Sequence, residues 1–528
     1  MKLIKSAWKM FYGRRENFWT MKIYKKKFLA VWLILLSSAC FWNKQQSPPE
    51  TPETPSVEVP PSNINLTKPL KISPKPEDVA LAKKIDELIE KSEFVNARWG
   101  VFVVSLKDGR VLAARDAQKL FNPASVQKII TSVVALDRLG ADFRWQTRVY
   151  SKEKIENGTL NGDLILYGQG APDLSDEGIE NLVDQLKAKS VQKIKGNIIG
   201  DESYFTGDTI GDGWAWNELQ WYYGAEASAL TINKNLVNVS LQNGKPKVEP
   251  STDYVELSGE VQPTKEVESV GLKRGLGSNK IYVWGEGKNL DVRVAVENPA
   301  LWSAKILKDV LIKKGITVEG EAKSADWKAE NKFKPENATQ LASLESQSLG
   351  DIVHQMNKDS VNLYAELILR TLGKKFGDSA PDENPRAQKT RGDDSAGTSV
   401  IKKWLTENGV SFEETESLRD GSGLSRLNFL TPETIGRALI AGNQIKSAEI
   451  FRNSLPIAGV DGTLRGRLGN VSGKILAKTG SITYVNSLAG YAKKSDETLA
   501  FVILCNNETR KADSSVLIDA IATLLIGN

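Results

Sequence analysis

The chain has 528 residues, enough for two or more domains; its two cysteines and single histidine exclude a disulfide framework, a cysteine-based zinc site and a histidine-rich metal centre. The net charge is +5 at pH 7, but residues 1–40 hold nine Lys and Arg against one Glu, so the remainder carries −3. A nucleic-acid-binding protein would need a basic face on its folded part, so this charge balance argues against that class.

Residues 1–40 have the layout of a signal peptide. A lysine-rich segment precedes an apolar run at 28–36, which is too short to span a bilayer, and small residues then lead to Cys40. A cysteine at the cleavage point resembles a bacterial lipoprotein signal, in which Cys40 becomes the lipidated N-terminus. A plain secretory signal and an uncleaved anchor are the alternatives. Either Met1 or Met21 is the true start.

Residues 41–75 contain eight prolines among polar residues. This composition predicts a semi-rigid tether rather than a folding unit, and it suits a catalytic domain held away from a membrane surface. Pro76 then opens a predicted helix, whose apolar residues recur on one face between Leu81 and Ile89.

Strands Trp99–Leu106 and Val111–Ala114 flank the turn signal Asp108-Gly109 and predict a hairpin; strands Arg148–Tyr150 and Leu164–Tyr167 follow on either side of Asn161-Gly162. An apolar helix begins at Ser125, between the second and the third of these strands. From 168 to 340, many short strands separated by Gly, Asn and Pro predict one or two inserted, mainly β subdomains. The aromatic residues at 211–216 and 221–223 are either a lid that packs local strands or one wall of a substrate cleft.

Helical periodicity returns after the insert, and a second predicted hairpin and a helix follow near the end of the sequence. The predicted elements are a helical stretch Leu349–Leu372, a polar loop Gly377–Asp394, strands Ser487–Tyr491 and Thr498–Cys505, and a closing helix Ser514–Ile526. Cys505 is expected to face the interior as a small apolar residue. Helices around a terminal antiparallel sheet predict one α+β domain, formed by 76–167 and 341–528 and split by the insert at 168–340.

Ser125-Val126-Gln127-Lys128 is one of five Ser-x-x-Lys sequences in the chain. Only this one has a Pro-Ala before it and a long apolar helix behind it, and its Ser and Lys lie one turn apart on the same helix face. A lysine amine beside a serine hydroxyl can make a nucleophile without histidine. Taken alone, however, the motif favours an ordinary serine helix cap.

Two further motifs occur once each. Ser360-Val361-Asn362 lies at a break in the helical stretch, where a hydroxyl and an amide can both point into a cleft; the alternative is a pair of turn or capping residues. Lys478-Thr479-Gly480 directly precedes the late strands, and glycine there lets a substrate backbone lie close against an edge strand. The alternative is a turn at the entry to a strand.

The three motifs, in this order, resemble the serine β-lactamases and penicillin-binding proteins. The insert of more than 200 residues between the first two motifs, and the run Asp420-Gly421-Ser422-Gly423-Leu424-Ser425-Arg426, narrow the resemblance further. They are similar to the class C low-molecular-mass penicillin-binding proteins, the D-alanyl-D-alanine carboxypeptidase/endopeptidases of the penicillin-binding protein 4 type. The similarity covers roughly 80–528 and includes Leu455–Leu464 and Ser487–Gly490.

The resemblance implies a serine β-lactamase/DD-peptidase-like fold and a role for each motif. Ser125 would attack the penultimate D-Ala carbonyl, with Lys128 as proton acceptor if burial or a second cation, such as Lys478, lowers its pKa. Ser360 would relay the proton to the leaving amine, and Asn362 would fix the lysine and the peptide amide. Stem peptides ending in D-Ala-D-Ala would be the substrates and β-lactams covalent inhibitors, with no cofactor.

The remaining implied roles concern substrate binding. The backbone N–H groups of Ser125 and Ser481 would form the oxyanion hole, while Lys478 and Thr479, beside Gly480, would meet the terminal carboxylate. A pocket for the peptide stem would be lined by Arg426 and, from the insert, by Asp201 and Phe205. The alternative for each of these three residues is a purely structural role.

Two other functions remain open, a serine β-lactamase and a catalytically idle protein that only binds penicillin or peptidoglycan. The length of the insert and the tether argues against the β-lactamase, and the three intact motifs argue against the idle protein. His354 is the only possible base for a Ser-His-Asp triad. We interpret it as a packing or solvent-facing residue, since the Ser/Lys mechanism does not need it.

Overall fold

The computed structural model describes residues 59–264, 268–330, 332–377, 392–509 and 513–527. The predicted signal peptide with Cys40, and most of the predicted polar loop at 377–394, therefore lie outside the described residues.

The described helices are α1 Pro76–Glu90, α2 Lys128–Arg138, α3 Asp176–Ala188, α4 Pro299–Lys313, α5 Leu349–Lys358, α6 Asn362–Phe376, α7 Asp393–Glu407, α8 Pro432–Gly442, α9 Ala448–Ser454 and α10 Ser515–Leu524. None of the helices in the described ranges has the length and apolar character needed to span a membrane.

The strands, in chain order, are β1 Arg98–Ser105, β2 Val111–Arg115, β3 Gln146–Ser151, β4 Ile155–Glu156, β5 Thr159–Leu160, β6 Leu164–Gly168, β7 Lys193–Ile194, β8 Ile198–Asp201, β9 Leu236–Gln242, β10 Lys245–Glu249, β11 Glu256–Gly259, β12 Ser269–Arg274, β13 Lys280–Glu286, β14 Asp291–Ala295, β15 Thr317–Val318, β16 Ala322–Ala325, β17 Thr339–Glu345, β18 Ile475–Ile482, β19 Val485–Lys493 and β20 Thr498–Asn506.

A five-stranded antiparallel sheet joins the two ends of the chain in the order β18-β19-β20-β1-β2. Along β20, Phe501 and Ile503 pack with residues of α1 and α10, whereas Ala500 and Val502 pack with residues of α8. Helices thus cover both faces, which is why β20 is buried along its whole length. The predicted α+β class, the two hairpins and the interior position of Cys505 are confirmed.

Two sheets form the centre of the insert, with the strand orders β16-β8-β6-β3-β17 and β15-β7-β5-β4. Each sheet contains strands from the beginning and from the end of the insert. Two three-stranded sheets, β10-β9-β14 and β11-β13-β12, complete it. Because β3 and β6 pair here and not in the terminal sheet, the expected boundary after 167 is wrong. The insert begins at β3 and ends with β17.

Part of the predicted tether belongs to the folded domain. Val59 and Leu66 are buried in the main core, Arg437 Nη1 donates to the Leu66 carbonyl at 3.1 Å, and Ile72 bridges to Val111. The prediction that 41–75 is not a folding unit is therefore wrong from residue 59 onward. Prolines limit the regular structure of such a segment, but they do not prevent its apolar side chains from docking on the domain.

Candidate active site

Ser125 lies in a short 3-10 turn, Ala124–Gln127, that leads directly into α2. Ala124 has a φ of 47°, an unusual conformation for a residue with a side chain. Gly423 makes room for it, because a Cβ at Gly423 would lie only 1.9 Å from the Ala124 carbonyl oxygen. Neither segment has a side-chain N-cap, so Ser125 is not the ordinary cap that the isolated motif favoured.

The Lys128 amine occupies the centre of the site and is 0% exposed. Its Nζ donates to Ser125 Oγ at 2.9 Å, to Asn362 Oδ1 at 2.6 Å and to the Ser422 carbonyl at 2.8 Å. Burial lowers the pKa of Lys128 from 10.5 to about 7, although the charges of Asp420 and Glu366 partly oppose this shift. The amine can therefore lose its proton near neutral pH.

Two buried carboxylates behind Lys128 were not identified from the sequence. Glu366 lies one turn after Asn362 on α6 and accepts the N–H of Ser422 at 2.8 Å, so it holds the residue whose carbonyl accepts from Lys128. Asp420 accepts the backbone N–H of Gly423 at 2.9 Å. Burial, and then the Asp420 charge, raise the pKa of Glu366 to about 8. The sequence signal that could have identified Glu366 is the position of an acidic residue within the apolar run of α6.

The second motif lies in the break between α5 and α6. Ser360 has a φ of 57°, and its Oγ accepts a hydrogen bond from Lys478 Nζ at 2.9 Å. Asn362 uses both ends of its amide, since Oδ1 accepts from Lys128 and Nδ2 donates to the Tyr223 carbonyl at 2.9 Å. The strained turn and the bridging amide bring the Ser-x-Asn motif against both lysines.

The third motif lies on β18. Lys478 is 0% exposed, and its Nζ also donates to the Thr479 carbonyl at 2.8 Å. Burial lowers the pKa of Lys478 well below its usual value, and the charge of Lys128 lowers it further. A Cβ at Gly480 would lie 2.9 Å from the Ser125 amide nitrogen, so only glycine lets the strand pass this close. The Lys-Thr-Gly strand thus borders the amide of Ser125.

A pair of asparagines holds the backbone just before Ser125, and sequence reasoning missed it. Asn122 N–H donates to Asn506 Oδ1 at 2.7 Å, and Asn506 Nδ2 donates to the Asn122 carbonyl at 3.1 Å. The Asn122 side chain in turn accepts the Ala124 N–H at 3.0 Å. Both asparagines are buried, so these bonds pin the strained turn to β20.

Three sequence-predicted binding residues take less direct positions. Arg426 donates to the Thr483 carbonyl at 2.7 Å, close after the Lys-Thr-Gly strand, and pairs with Glu218 at 3.3 Å. Asp201 is 2% exposed and Phe205 is 3% exposed; neither is among the contacts of Arg426 in the described part of the chain. Their role in binding the peptide stem stays a prediction, as does the contribution of Ser481 on the exposed end of β18.

The aromatic segment of the insert both packs locally and borders the site. Trp214 Nε1 donates to Asp420 at 3.0 Å, and the Tyr223 carbonyl accepts from Asn362. Tyr222 is 47% exposed. The lid interpretation and the cleft-wall interpretation of this segment both stay predictions. His354 lies exposed on α5, as expected of a residue outside the Ser/Lys mechanism.

Among the described residues, no group of three or more His, Cys, Asp or Glu side chains is arranged to hold a metal ion. The site is instead two buried lysines, two serines and an asparagine, set in hydrogen bonds to the backbone. Such a set can activate a hydroxyl, transfer its proton and stabilise an oxyanion.

Comparisons with known proteins agree with the motifs. The D-alanyl-D-alanine carboxypeptidase DacB of Haemophilus influenzae is 29% identical over 427 residues, which make up 77% of this chain and 85% of that protein. A D-alanyl-D-alanine carboxypeptidase from Actinomadura sp. is 29% identical over 475 residues, with 84% of each protein covered.

The crystal structure of penicillin binding protein 4 from Haemophilus influenzae aligns with a TM-score of 0.72 at 27% identity, covering 84% of this chain and 98% of that one. The expected fold and family resemblance are therefore confirmed. The sequence profile of the D-Ala-D-Ala carboxypeptidase 3 (S13) family matches residues 81–526. Because this match spans most of the chain, the protein belongs to the D-Ala-D-Ala carboxypeptidase 3 (S13) family.

Proposed function

We propose that this serine carboxypeptidase hydrolyses the D-Ala-D-Ala bond of peptidoglycan stem peptides, the equivalent bond of cross-links, or both, through an acyl-enzyme on Ser125. The observation that carries this proposal is the set of partners of the Lys128 amine. A neutral amine has one lone pair, and of its three partners only the Ser125 hydroxyl has a proton to give; the Asn362 and Ser422 oxygens can only accept. Deprotonated Lys128 is thereby oriented to take the serine proton.

In the first step Ser125 Oγ bonds to the carbonyl carbon of the penultimate D-Ala as its proton moves to Lys128. The N–H of Ser125, with that of Ser481, receives the developing oxyanion. The carbon–nitrogen bond then breaks, and the proton on Lys128 passes to the leaving amine by way of Ser360, which Lys478 holds at 2.9 Å. A water molecule gives a proton to the neutral Lys128 as its oxygen bonds to the acyl carbon. The bond from that carbon to Ser125 Oγ then breaks, and Lys128 returns the proton to Ser125.

Recognition of the leaving D-Ala is assigned to the Lys-Thr-Gly strand. Thr479 is oriented by a hydrogen bond from its Oγ1 to Thr463 Oγ1 at 2.8 Å. Together with the Lys478 amine it would meet the terminal carboxylate. Penicillin presents a carboxylate and a strained amide to the same groups, which agrees with covalent β-lactam binding on Ser125.

We also propose that the mature protein faces the periplasm and is anchored to a membrane by a lipid on Cys40. The support is the signal-like sequence at 1–40 and the location of the peptidoglycan substrate. The intact mass of the membrane-extracted protein tests this: an acylated N-terminal Cys40 is expected, and an unmodified N-terminus elsewhere would contradict it.

Release of free D-Ala from a peptide that ends in D-Ala-D-Ala tests the function. The wild type is expected to release D-Ala, and Ser125→Ala is expected to release none. Lys128→Ala should be slower by roughly 10³-fold or more, on the scale seen when a catalytic base is lost.

Two outcomes would contradict the peptidase. Rapid turnover of a chromogenic cephalosporin without D-Ala release would indicate a β-lactamase. A folded protein that binds penicillin but releases no D-Ala would indicate the idle binding protein.

A further inference from the structure

A cavity of about 360 Å³ opens beside the catalytic groups, between the peptidase domain and the insert. We call it the leaving-side cavity; the residues that matter for it are Asn362, Gly462, Thr463, Tyr222, Lys234 and Arg293. Asn362 holds Lys128, and Thr463 accepts from Thr479, so the cavity adjoins both the base and the strand assigned to the leaving group.

Two cations from the insert line this cavity without a carboxylate partner. Arg293 lies 4.3 Å above the Tyr222 ring and Lys234 lies 5.6 Å above the Tyr364 ring. Among the described residues no carboxylate oxygen lies within 4.0 Å of either cation. The third cation, Lys358, is already paired with Asp461 at 2.6 Å.

One carboxylate, that of Asp359, also lines the cavity. Two free cations against one carboxylate leave the cavity net positive, which favours an anionic ligand. The aromatic faces beneath the cations hold them in place while their charged ends stay available.

The backbone at Lys234 is in the left-handed conformation, which is unfavourable for a residue with a side chain unless neighbouring contacts stabilise it. Three consecutive residues are left-handed, with φ of 48° at Asn233, 58° at Lys234 and 58° at Asn235. The flanking asparagines pin the turn, since Asn233 Nδ2 donates to Asp176 at 2.9 Å and Asn235 Nδ2 donates to the Glu226 carbonyl at 2.9 Å. Such strain costs free energy and persists where the surroundings hold it, often at ligand sites.

The size of the cavity points to a leaving group larger than one amino acid. A cavity of about 360 Å³ lies within the size range of pockets that bind ligands much larger than one alanine. The leaving amine of a cross-link continues into a second peptide that carries further carboxylates.

We propose that the leaving-side cavity binds the anionic second peptide of a cross-linked substrate, with Lys234 and Arg293 as its carboxylate contacts. The inference rests on the proposed function and assigns endopeptidase specificity to that site. In the reaction, the bond from the acyl carbonyl to the leaving nitrogen breaks, the carbonyl carbon bonds to Ser125 Oγ, and the serine proton ends on the leaving nitrogen. The cavity holds the amine product.

The test compares two substrates, a cross-linked peptide dimer and a short peptide that ends in D-Ala-D-Ala. For Lys234→Gln and for Arg293→Gln, the ratio of kcat/KM for the dimer to kcat/KM for the short peptide is expected to fall about tenfold, the scale of one charge-assisted contact. The matched control is Lys245→Gln, which removes one exposed positive charge from the insert outside the cavity and should leave the ratio unchanged.

A dimer whose second peptide has its carboxylates converted to amides provides a check from the substrate side. For the wild type, kcat/KM on the amidated dimer should be about tenfold lower than on the unmodified dimer. Added salt should reduce the preference for the unmodified dimer over the short peptide more in the wild type than in the variants. An unchanged ratio in both variants, or no effect of amidation, would overturn the proposal. Failure of the wild type to cleave even the short peptide would instead reject the proposed function itself.

Discussion

Acidification is expected to stop acylation of Ser125 by protonating Lys128. With a pKa of about 7, about half of the Lys128 amines are neutral at pH 7, whereas a lysine with the usual value of 10.5 would be neutral in roughly one molecule in 3,000. Only the neutral amine can accept the serine proton. The second-order acylation rate should therefore fall about tenfold per pH unit below roughly pH 6 and level off above roughly pH 8.

The assay is the rate of covalent labelling by a fluorescent penicillin between pH 5 and pH 10 at constant ionic strength. The rate at pH 5 should be about 100-fold below the plateau, since the neutral fraction of a group with a pKa near 7 is about 1% there. Tryptophan fluorescence at each pH provides the control for folding. A rate that keeps rising to pH 10, or one that does not change with pH, would refute Lys128 as the base.

Two substitutions test the surroundings of the motifs. Asp420→Asn removes the carboxylate whose charge most raises the pKa of Lys128, so the midpoint of the acylation profile should move to lower pH; a midpoint that stays or rises would contradict this electrostatic link. Asn506→Ala leaves the buried N–H of Asn122 without its partner and should cost about 1–3 kcal/mol of unfolding free energy in urea, with slower acylation. Unchanged stability and acylation would show that the asparagine pair does not hold the turn.

The sequence predicted what depends on local pattern. The two hairpins, the helix after Ser125 and the break at Ser360 all follow from periodicity and turn residues within short windows. The three motifs were grouped into one site because, in this order, they resemble the motifs of the serine β-lactamases and penicillin-binding proteins. Their contacts, such as that of Lys128 with Asn362, then follow from the fold.

What the sequence did not predict depends on pairing between distant residues. The strand Gln146–Ser151 has a normal strand pattern, and only its partner Thr339–Glu345 shows that it belongs to the insert. In the sequence, Asn506 is one polar residue at the end of a strand. Its hydrogen bond with Asn122, 384 positions earlier, is visible only in the folded chain. Glu366 accepts a hydrogen bond from the backbone of Ser422, and no local sequence pattern around either residue indicates that the two are in contact.

The most direct test of the account is the site of the penicillin adduct. After brief treatment with penicillin and digestion with trypsin, mass spectrometry should find the drug on the peptide of residues 120–128, with Ser125 as the modified residue and an unlabelled peptide in Ser125→Ala. An adduct on any other residue, or labelling that survives the Ser125→Ala substitution, would contradict the central claim that Ser125 is the nucleophile.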